Sequence, residues 1–398
     1  MMAVYYMRVV MLDPSSFSPP YDDHLCTALG AVGIEVELYT RPLRQHERYS
    51  ATGYTVHEHF YRWSEQLNSL KLFRPVYRYV KALEHVFNMY TLSRKLRRIR
   101  PDIIHFQWCP LPLLDAFFLA SFRRIAPVVL TVHNTKPFHG NPSSWLQGVG
   151  WRKILQPFDK LIVHTEQSRQ QLLSAGCHSS KIMVIPHGAL QTRSGGDGRE
   201  TSTGHTGNDN GRKIILFFGN VKPYKGIDVL LKAFSLVPES SRRNAKVVIA
   251  GRSSIPQAEI EGLAEQLGIR DSVELDLRFL SDNELSALLG KAYMYVFPYK
   301  DIDASGALML ALPYGKPVIA SRLGIFSEML IDGETALLAG VNDHVAFASA
   351  IERLLSDGRL AKRLGDGARE AIQKYQSWED IARLSVNTYQ DLIRHKPG

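Results

Sequence analysis

Two lysines and a glycine follow one apolar run in the second half of the chain. The run Ile215–Phe218 is typical of a buried strand, and Gly219, Asn220, Lys222 and Lys225 come directly after it. Glycine permits a sharp exit from a strand, and two ammonium groups on a turn stiffened by proline suit a diphosphate. An ordinary surface loop with two lysines is the competing interpretation of this segment alone.

A second segment of the same half offers matching chemistry. Strand residues Tyr295–Phe297 lead into a polar stretch that ends at Ser305 and Gly306, and a helix is expected over Ala307–Leu312. Free backbone N–H groups and the positive end of a helix dipole favour an anion at Ser305 and Gly306. Two strand ends that both suit phosphate favour the binding interpretation over the ordinary loop.

Short apolar strands that alternate with helix-length stretches must position these residues. In the first half we expect strands at Met7–Leu12, Ile34–Tyr39, Asp102–Phe106, Val128–His133, Leu161–His164 and Ile182–Ile185. In the second half we expect them at Lys213–Phe218, Lys246–Ala250, Ser272–Leu275, Met294–Phe297 and Val318–Ala320. Continuous apolar strands between helices predict parallel sheets covered on both faces. The predicted fold is α/β, with two Rossmann-like, doubly wound domains facing across a cleft and ligands at the carboxyl ends of the strands.

A polar stretch separates the two halves. Residues 191–212 contain almost no apolar side chain, so we expect a flexible linker or loop at 189–212. The first domain is then predicted at 1–188 and the second at 213–375. An amphipathic helix at 376–398 closes the chain and is expected to pack back toward the first domain.

Some classes of protein and ligand are disfavoured. The first strand–helix turn, Asp13–Tyr21, contains no glycine, whereas a dinucleotide oxidoreductase carries G-x-G-x-x-G there. No recognised module or RNP-like motif accompanies the net charge of +9, so no nucleic-acid partner is expected. Asp301 and Asp303 spell D-x-D, but acidic residues before a helix complement its dipole, and we expect no metal.

Basic charge concentrates in residues 71–100, where Lys and Arg alternate with Phe, Tyr and Val. Attraction to an anionic surface, either inner-leaflet lipid or a lipid-pyrophosphate acceptor, is one interpretation. A long helix with a buried apolar face and solvated cations is the other, and the sequence leaves both open. Three separated cysteines and an N-terminus without a basic n-region predict a cytoplasmic protein, with peripheral attachment to the inner face of the membrane left open.

Taken in order, these segments resemble a retaining glycosyltransferase of the GT-B fold, family 4 type. In the second half the resemblance rests on FFGNVKPYKGIDVLLKAF, AGR, FPYKDIDASGALMLALPYGKPVIA and GIFSEMLIDGETALL, which begin at Phe217, Ala250, Phe297 and Gly324. In the first half it rests on FSPPY, TVHN and VIPHG, which begin at Phe17, Thr131 and Val184. The resemblance covers nearly the whole chain in one consistent order.

The resemblance implies transfer of a sugar from a nucleoside diphosphate sugar to a glycan or lipid-linked acceptor, in cell-surface polysaccharide or glycolipid assembly. It implies no cofactor and no metal. The donor-binding candidates, with Asn220 at the family's arginine position and Lys225 at its lysine position, are Gly219, Asn220, Lys222, Lys225, Arg252, Ser305, Gly306 and Glu328. Glu328 is expected in a loop on the nucleotide side.

The family's pair of glutamates is only half present. Asp303 takes the first position, and the second falls on Leu310 or Ala311, neither of which ionises. The ribose-binding role of the second glutamate is therefore vacant or filled from elsewhere, with Glu328 as one replacement. This loss leaves open an alternative function, a catalytically degenerate nucleotide-sugar-binding subunit of a glycosyltransferase complex.

The remaining candidates belong to the first half. The resemblance makes His133, which is expected at a strand end, a catalytic candidate together with Asp303, because the family's histidine reaches near the sugar. A strand-end histidine bonded to a local carbonyl is the structural alternative, and His139 is a competitor. Phe17, Pro19 and Tyr21 are expected on the acceptor side, in a loop whose shape the prolines fix, and the start of a helix at Tyr21 is the structural alternative.

Overall fold

A computed structural model describes residues 7–44, 47–68, 74–135, 151–190, 208–209 and 211–395. They divide into two units, which we call the first and the second unit. The first unit comprises Met1–Gly188 and Gln376–Gly398, and the second comprises Ala189–Tyr375.

The first unit is built on a sheet of parallel strands in the order β3-β2-β1-β4-β5-β6-β7. The strands are β1 (Arg8–Asp13), β2 (Glu35–Thr40), β3 (Thr55–Glu58), β4 (Ile103–Phe106), β5 (Val128–Thr131), β6 (Lys160–Val163) and β7 (Ile182–Val184). The helices before the second unit are α1 (Pro19–Ala31), α2 (Arg62–Asn68), α3 (Arg74–Ile99), α4 (Pro112–Arg123), α5 (Trp151–Leu155) and α6 (Glu166–Ser174).

Alternate side chains of β1 pack into two different hydrophobic clusters. Val10 and Leu12 pack in one cluster with Met89 of α3, whereas Met11 packs in the other with Leu25 of α1. Side chains of a strand alternate between its faces, so a strand buried on both sides reads as one apolar run. This explains why the central strands could be located from the sequence.

The second unit has a parallel path β11-β10-β9-β12-β13-β14, and a short β8 pairs antiparallel with β9. Its strands are β8 (Asn208–Asp209), β9 (Arg212–Phe218), β10 (Ala245–Ala250), β11 (Val273–Asp276), β12 (Met294–Phe297), β13 (Val318–Ser321) and β14 (Leu337–Ala339). Its helices are α7 (Ile227–Leu236), α8 (Glu239–Arg242), α9 (Gln257–Gln266), α10 (Asp282–Lys291), α11 (Gly306–Ala311), α12 (Gly324–Met329), α13 (His344–Ser356) and α14 (Gly358–Lys374).

The last helix, α15 (Trp378–Arg394), belongs to the first unit. Its residues Ile381, Ala382 and Tyr389 are buried in the same core as α1. The Tyr389 hydroxyl lies 2.7 Å from Nδ1 of His105 on β4, and Ser377 and Asp380 form a capping box at the start of the helix. The C-terminal helix thus completes one face of the first sheet.

The predicted class is confirmed, since both units are Rossmann-like with mainly parallel sheets. Strands β3, β8 and β14 were not predicted. Strand β5 ends at Thr131, two residues before His133, and α11 ends at Ala311, where a 3-10 turn replaces the last predicted helical residue.

Most of the stretch predicted as a linker at 189–212 lies outside the described residues. Of the part that is described, Ala189 and Leu190 pack against the core of the second unit, and Asn208–Asp209 forms β8. Across the described part of the chain, no helix has both the length and the apolar character that a bilayer crossing requires.

Candidate functional site

A lysine loop, Gly219–Lys225, leaves the carboxyl end of β9. Gly219 has φ 99°, which only glycine adopts without strain, and Pro223–Lys225 forms a single 3-10 turn. Gly226 follows in a left-handed conformation, and a Cβ at Gly226 would collide with the carbonyl oxygen of Pro298. The loop is therefore held against the segment that follows β12.

Lys225 carries a buried ammonium group. Its side chain is 8% exposed, and its Nζ lies 5.0 Å from the centroid of the Tyr299 ring. No oxygen of the described residues accepts a hydrogen bond from this Nζ. Desolvation lowers the pKa of Lys225. A buried cation without a counter-charge is unfavourable, so this arrangement is suited to an anion from outside the chain.

Lys222 and Asn220 differ in their surroundings. Lys222 is half-buried, and its pKa is lowered by desolvation and then by the charge of Lys225. Two ammonium groups that repel each other would both gain from a shared anion. Asn220, at the family's arginine position, is exposed and uncharged.

The two predicted phosphate segments lie together. A Cβ built on Gly219 would lie 3.4 Å from Lys225 Nζ and 4.0 Å from Cβ of Ala307, in the first turn of α11. The Lys300 backbone N–H donates to the Tyr224 carbonyl at 2.7 Å, which ties the lysine loop to the segment after β12. The start of α11 therefore lies beside the lysine loop.

Ser305 and Gly306 occupy the start of α11. The Leu308 N–H donates to Ser305 Oγ at 3.2 Å, so this hydroxyl caps its own helix. Because α11 spans only six residues, its dipole alone makes a weak anion site. Lys222 and Lys225 therefore offer a stronger attraction for an anion than the start of α11 does.

Asp303 and Glu328 are the two acidic candidates of the second unit. Asp303 is buried, and its carbonyl accepts a hydrogen bond from Ile325 N at 3.1 Å, which seats the start of α12 against it. The expectation that Glu328 lies in a loop is wrong, because the residue is an exposed member of α12. Its charge adds to the desolvation that raises the pKa of Tyr375 to about 12, so the two side chains are neighbours.

Arg252 follows β10 and reaches the same edge through its backbone. Its carbonyl accepts a hydrogen bond from Val221 N at 2.8 Å, beside the lysine loop. Its guanidinium is exposed and lies 4.8 Å from the centroid of the Phe279 ring. The structure thus brings the donor-side candidates of β9, β10 and β12 to one sheet edge.

Four residues of the first unit form what we call the imidazole cluster: Tyr21, His133, His164 and His187. The Tyr21 ring centroid lies 4.9 Å from that of His133, 5.2 Å from that of His164 and 5.0 Å from that of His187. Trp108 stacks on His133 at 4.9 Å, with 12° between the ring planes. Each histidine follows the carboxyl end of a neighbouring parallel strand, which places the cluster where α/β sheets collect ligands.

The histidines of the cluster are neutral at physiological pH. Desolvation lowers the pKa of His164 to about 4 and that of His187 to about 3, and it lowers the pKa of His133 well below 6.5. Each ring therefore carries a single proton and acts as one donor and one acceptor.

A backbone carbonyl fixes the position of those protons. His164 Nδ1 donates to the Ile185 carbonyl at 3.0 Å, so His164 Nε2 accepts from His133 Nδ1 at 3.3 Å. His133 Nε2, which lies 3.1 Å from the Gln107 side-chain amide, then has a free lone pair. A 180° rotation of that amide presents its NH₂ to His133 and gives up the contact in which the amide nitrogen donates to Met11 Sδ at 2.9 Å. With the amide turned in this way, His133 accepts a hydrogen bond through Nε2 without carrying a charge.

The predicted acceptor segment comprises a short loop and the start of a helix, which was the structural alternative for Tyr21. Pro19 and Tyr21 lie in the first turn of α1, where proline is well suited to the geometry. Tyr21 is buried in the imidazole cluster, whereas Phe17 is exposed and contacts Trp108 edge-on at 5.2 Å. Phe17, Trp108, His133 and Tyr21 consequently form one continuous aromatic row.

A buried pair of carboxyl groups holds that helix start. Asp13 Oδ2 accepts hydrogen bonds from Phe17 N at 2.7 Å and from Ser18 N at 3.3 Å. Asp22 lies against Asp13, and burial raises the pKa of both groups, that of Asp22 the more strongly. Two buried carboxyls in contact cannot both ionise, so they share one proton.

Sequence reasoning missed Trp108, His164, His187 and Gln107. The available signal was positional: each of the four consecutive strands β4 to β7 is followed within three residues by an aromatic, imidazole or amide side chain. His139 lies outside the described residues. Among the residues that are described, no group of three or more His, Cys, Asp or Glu side chains could hold a metal ion.

Two doubly wound units, each with its candidate residues at the carboxyl ends of parallel strands, define the fold of a GT-B glycosyltransferase. Residues 23–189 match the family model Glycosyltransferase Family 4, and residues 198–371 match the model Glycosyl transferases group 1. Together the two models cover most of the chain, which therefore belongs to the GT-B glycosyltransferases of the family 4 type.

Individual proteins agree with this assignment. The chain is 28% identical over 395 residues to the D-inositol 3-phosphate glycosyltransferase of Corynebacterium glutamicum (strain R), covering 93% of this chain and 90% of the relative. It is similar in fold to sucrose-phosphate synthase from Thermosynechococcus elongatus, with TM-score 0.72, 22% identity, and coverage of 98% and 99%. A crystal structure of Anabaena HepE with UDP and glucose aligns with TM-score 0.69 and 17% identity, over 97% of this chain and 100% of HepE.

Proposed function

We propose that this chain is a retaining glycosyltransferase that moves a sugar from a nucleoside diphosphate sugar to a glycan or lipid-linked acceptor. The observation that carries the proposal is the buried Lys225 ammonium, which finds no acceptor among the described residues. Lys222 adds a second cation, and α11 begins beside the lysine loop. A diphosphate would provide anionic oxygens for the buried ammonium group of Lys225.

The reaction places its greatest electrostatic demand on the leaving group. As the bond to the sugar breaks, negative charge builds on the departing diphosphate while the sugar becomes cationic. Lys225 and Lys222 would stabilise that charge from fixed positions, and they need no metal ion to do so. Burial has already removed much of the water around Lys225, and desolvation lowers the pKa of both lysines.

The first unit would supply hydrogen bonds rather than charge. His133 Nε2 is set to accept a hydrogen bond from a sugar hydroxyl once the Gln107 amide turns away. Phe17 and Trp108 offer ring faces beside it, which suit the apolar faces of a sugar. In this proposal Asp303 meets the donor sugar, and Glu328 takes the ribose role of the missing second glutamate.

Donor binding and hydrolysis test this function directly. Uridine and guanosine diphosphate sugars are screened by thermal shift, and one base is expected to raise the melting temperature of the second unit. Lys225→Met should abolish that shift, whereas Lys232→Met, an exposed lysine of α7, should leave it intact. No stabilisation by either base, or an unchanged shift in Lys225→Met, overturns the donor site.

The stereochemistry needs its own measurement. Proton NMR during early donor hydrolysis should show a released sugar with the anomeric configuration of the donor, because the proposed reaction retains configuration. Release of the opposite anomer before mutarotation contradicts the retaining assignment without touching the donor site.

One observation favours a second function. The position of the second glutamate falls on Leu310 or Ala311 in α11, and neither side chain can hold a ribose hydroxyl. The chain would then bind nucleotide-sugar as a non-catalytic subunit. Tight donor binding without hydrolysis, and without transfer to any lipid-linked acceptor tested, selects this alternative.

We further propose a role in cell-surface polysaccharide or glycolipid assembly at the inner face of the membrane. Lipid-linked acceptors reside in that membrane, so attachment to its surface would bring acceptor and enzyme together. Synthesis of surface glycan in a deletion strain, rescued by wild type and not by Lys225→Met, tests the role.

A further inference from the structure

One face of α3 exposes apolar side chains in a row. Tyr79, Leu83, Val86, Phe87 and Tyr90 are all exposed, with Tyr79 at 74% and Leu83 at 73%. The opposite face of the helix packs Met89, Leu92 and Leu96 into the core of the first unit. A helix that is buried on one side normally shows polar residues on the other, so this face needs an explanation.

Arginines continue the same row toward the end of the helix. At 100° per residue, Tyr79, Leu83, Val86, Phe87, Tyr90, Arg94, Arg97 and Arg98 fall within an arc of about 120°. We call these eight residues the exposed stripe. Arg94 lies 5.9 Å from the Tyr90 ring centroid, and all three arginines are exposed. The acidic residue of the helix, Glu84, is buried and accepts hydrogen bonds from Trp63 N and Ser64 N.

Neighbouring helices extend the apolar area. Trp63 of α2 is 58% exposed and stacks on Phe87, with 5.7 Å between the ring centroids. Leu113 and Phe117 are exposed on α4, on the same helical face as Ser121. Ser121 Oγ contacts Ser93 Oγ at 3.1 Å and Arg97 Nη2 at 3.2 Å, so that face lies beside α3.

We propose that the exposed stripe, together with Trp63, docks the first unit on an anionic phospholipid surface. Tyrosine and tryptophan favour the membrane interface, and leucine and phenylalanine insert into the acyl boundary. Arginines at the headgroup level are attracted by anionic lipid, and no exposed carboxylate of α3 opposes them. A soluble protein partner would cover the apolar residues but would not need three exposed arginines on the same arc.

Vesicle sedimentation with the full chain tests the proposal. Binding should be strong to vesicles of phosphatidylcholine with 30% phosphatidylglycerol, at roughly 0.1 M salt, and weak to pure phosphatidylcholine. Replacing Arg94, Arg97 and Arg98 with Gln should lower the affinity at least tenfold, at about fivefold per charge. The matched control replaces the exposed Arg353, Arg359 and Arg363 of the second unit with Gln and should change affinity less than twofold.

Apolar insertion has a separate readout. Anionic vesicles should shift the tryptophan emission of wild type to shorter wavelength, and Trp63→Phe should remove most of that shift while keeping the binding. Leu83→Ser with Phe87→Ser should weaken binding at least tenfold, whereas Leu236→Ser, on the second unit, should not. Circular dichroism and thermal melting without a ligand confirm that each variant is folded.

Three results overturn the proposal: equal losses in the stripe and control variants, affinity that ignores anionic lipid, or an emission shift that persists without Trp63. A wild-type dimer that the stripe variants convert to monomer would assign the stripe to a second copy instead. Vesicle binding is measured without a sugar donor, so its failure leaves the proposed transfer reaction standing, and the reverse also holds.

Discussion

The two units place their candidate residues at the same structural location and give them opposite electrostatic character. In the first unit, the carboxyl ends of β4 to β7 present a neutral cluster of imidazole and aromatic rings. In the second, the loop after β9 presents two ammonium groups, one buried (Lys225) and one half-buried (Lys222). In the proposed function, each of the two units would take a different task. Neutral hydrogen bonding suits hydroxyl groups, whereas fixed cations suit a diphosphate.

Mild acid should destabilise the first unit much more than the second, and this is the largest effect that we expect. The pKa of His105 is about 3, that of His164 about 4 and that of His187 about 3, all below the unfolded value of about 6.5. Between pH 6.5 and about 4 the unfolded chain binds more protons, so stability present above pH 6.5 is lost as the pH falls. At pH 5 each histidine should cost about 2 kcal/mol.

Calorimetry or fluorescence melting at pH 7.5 and pH 5 checks this expectation. The first unit should melt much earlier at pH 5, while the second, whose described histidine is His344 alone, should change little. Asp22 acts in the opposite sense, because its raised pKa favours the folded state as the pH falls toward 3.8. Equal shifts of both units at pH 5 would contradict the assignment of His105, His164 and His187 as buried and neutral.

Lys225→Met tests the cationic side of the comparison. Removing one fixed charge from the leaving group should lower kcat about 10²- to 10³-fold, in the range for loss of a preorganised oxyanion contact. The same change should leave unfolding free energy unchanged or raise it by about 1 kcal/mol, because a buried uncompensated charge disappears. Lys222→Met, at the half-buried position, should cost only about tenfold in kcat. Steady-state kinetics and thermal melting of both variants test this expectation. Equal losses of kcat in the two variants would show that Lys225 is not the more important cation.

Gly226→Ala tests how the lysine loop is positioned. A Cβ at this left-handed residue would strike the Pro298 carbonyl, so the loop must move. We expect a loss of about 2 to 3 kcal/mol in the second unit and a weaker donor thermal shift. Gly262→Ala in α9 is the matched control, because nothing lies within 4 Å of its Cβ position. The control should be neutral or gain up to about 1 kcal/mol. Equal behaviour of the two variants would show that the loop tolerates displacement.

The sequence located what depends on local composition. Strand Met294–Phe297 was predicted with its observed bounds, because a strand buried on both faces is one apolar run. Strand β3 (Thr55–Glu58) was missed because it is a half-exposed edge strand with polar residues. The lysine loop was found because its residues are neighbours in the chain.

The imidazole cluster was only partly found, for a physical reason. His133, His164 and His187 are separated by many residues, and only the order β4-β5-β6-β7 of the sheet brings them together. A sequence shows which residue follows a strand, but not which strands are adjacent. Glu328 was assigned to a loop because a helix of only six residues carries little periodic signal.

His164→Phe tests the neutral side of the comparison, and its expected effect is the smallest and the most specific. The substitution keeps an aromatic ring beside Tyr21 but removes the acceptor for His133 Nδ1–H. A buried donor without a partner is unfavourable, so the proton of His133 should move to Nε2, where Gln107 can accept it. Nitrogen NMR of the His133 ring should report that change of tautomer.

If His133 Nε2 accepts a hydrogen bond from a substrate hydroxyl, the new tautomer should lower kcat about tenfold, the value of one hydrogen bond. The KM for the donor should change little, because the lysine loop is intact. His178→Phe, at an exposed histidine of the first unit, is the control and should alter neither quantity. A tenfold loss with an unchanged tautomer would mean that His164 acts through packing, and His164 would then no longer count as a positioning residue.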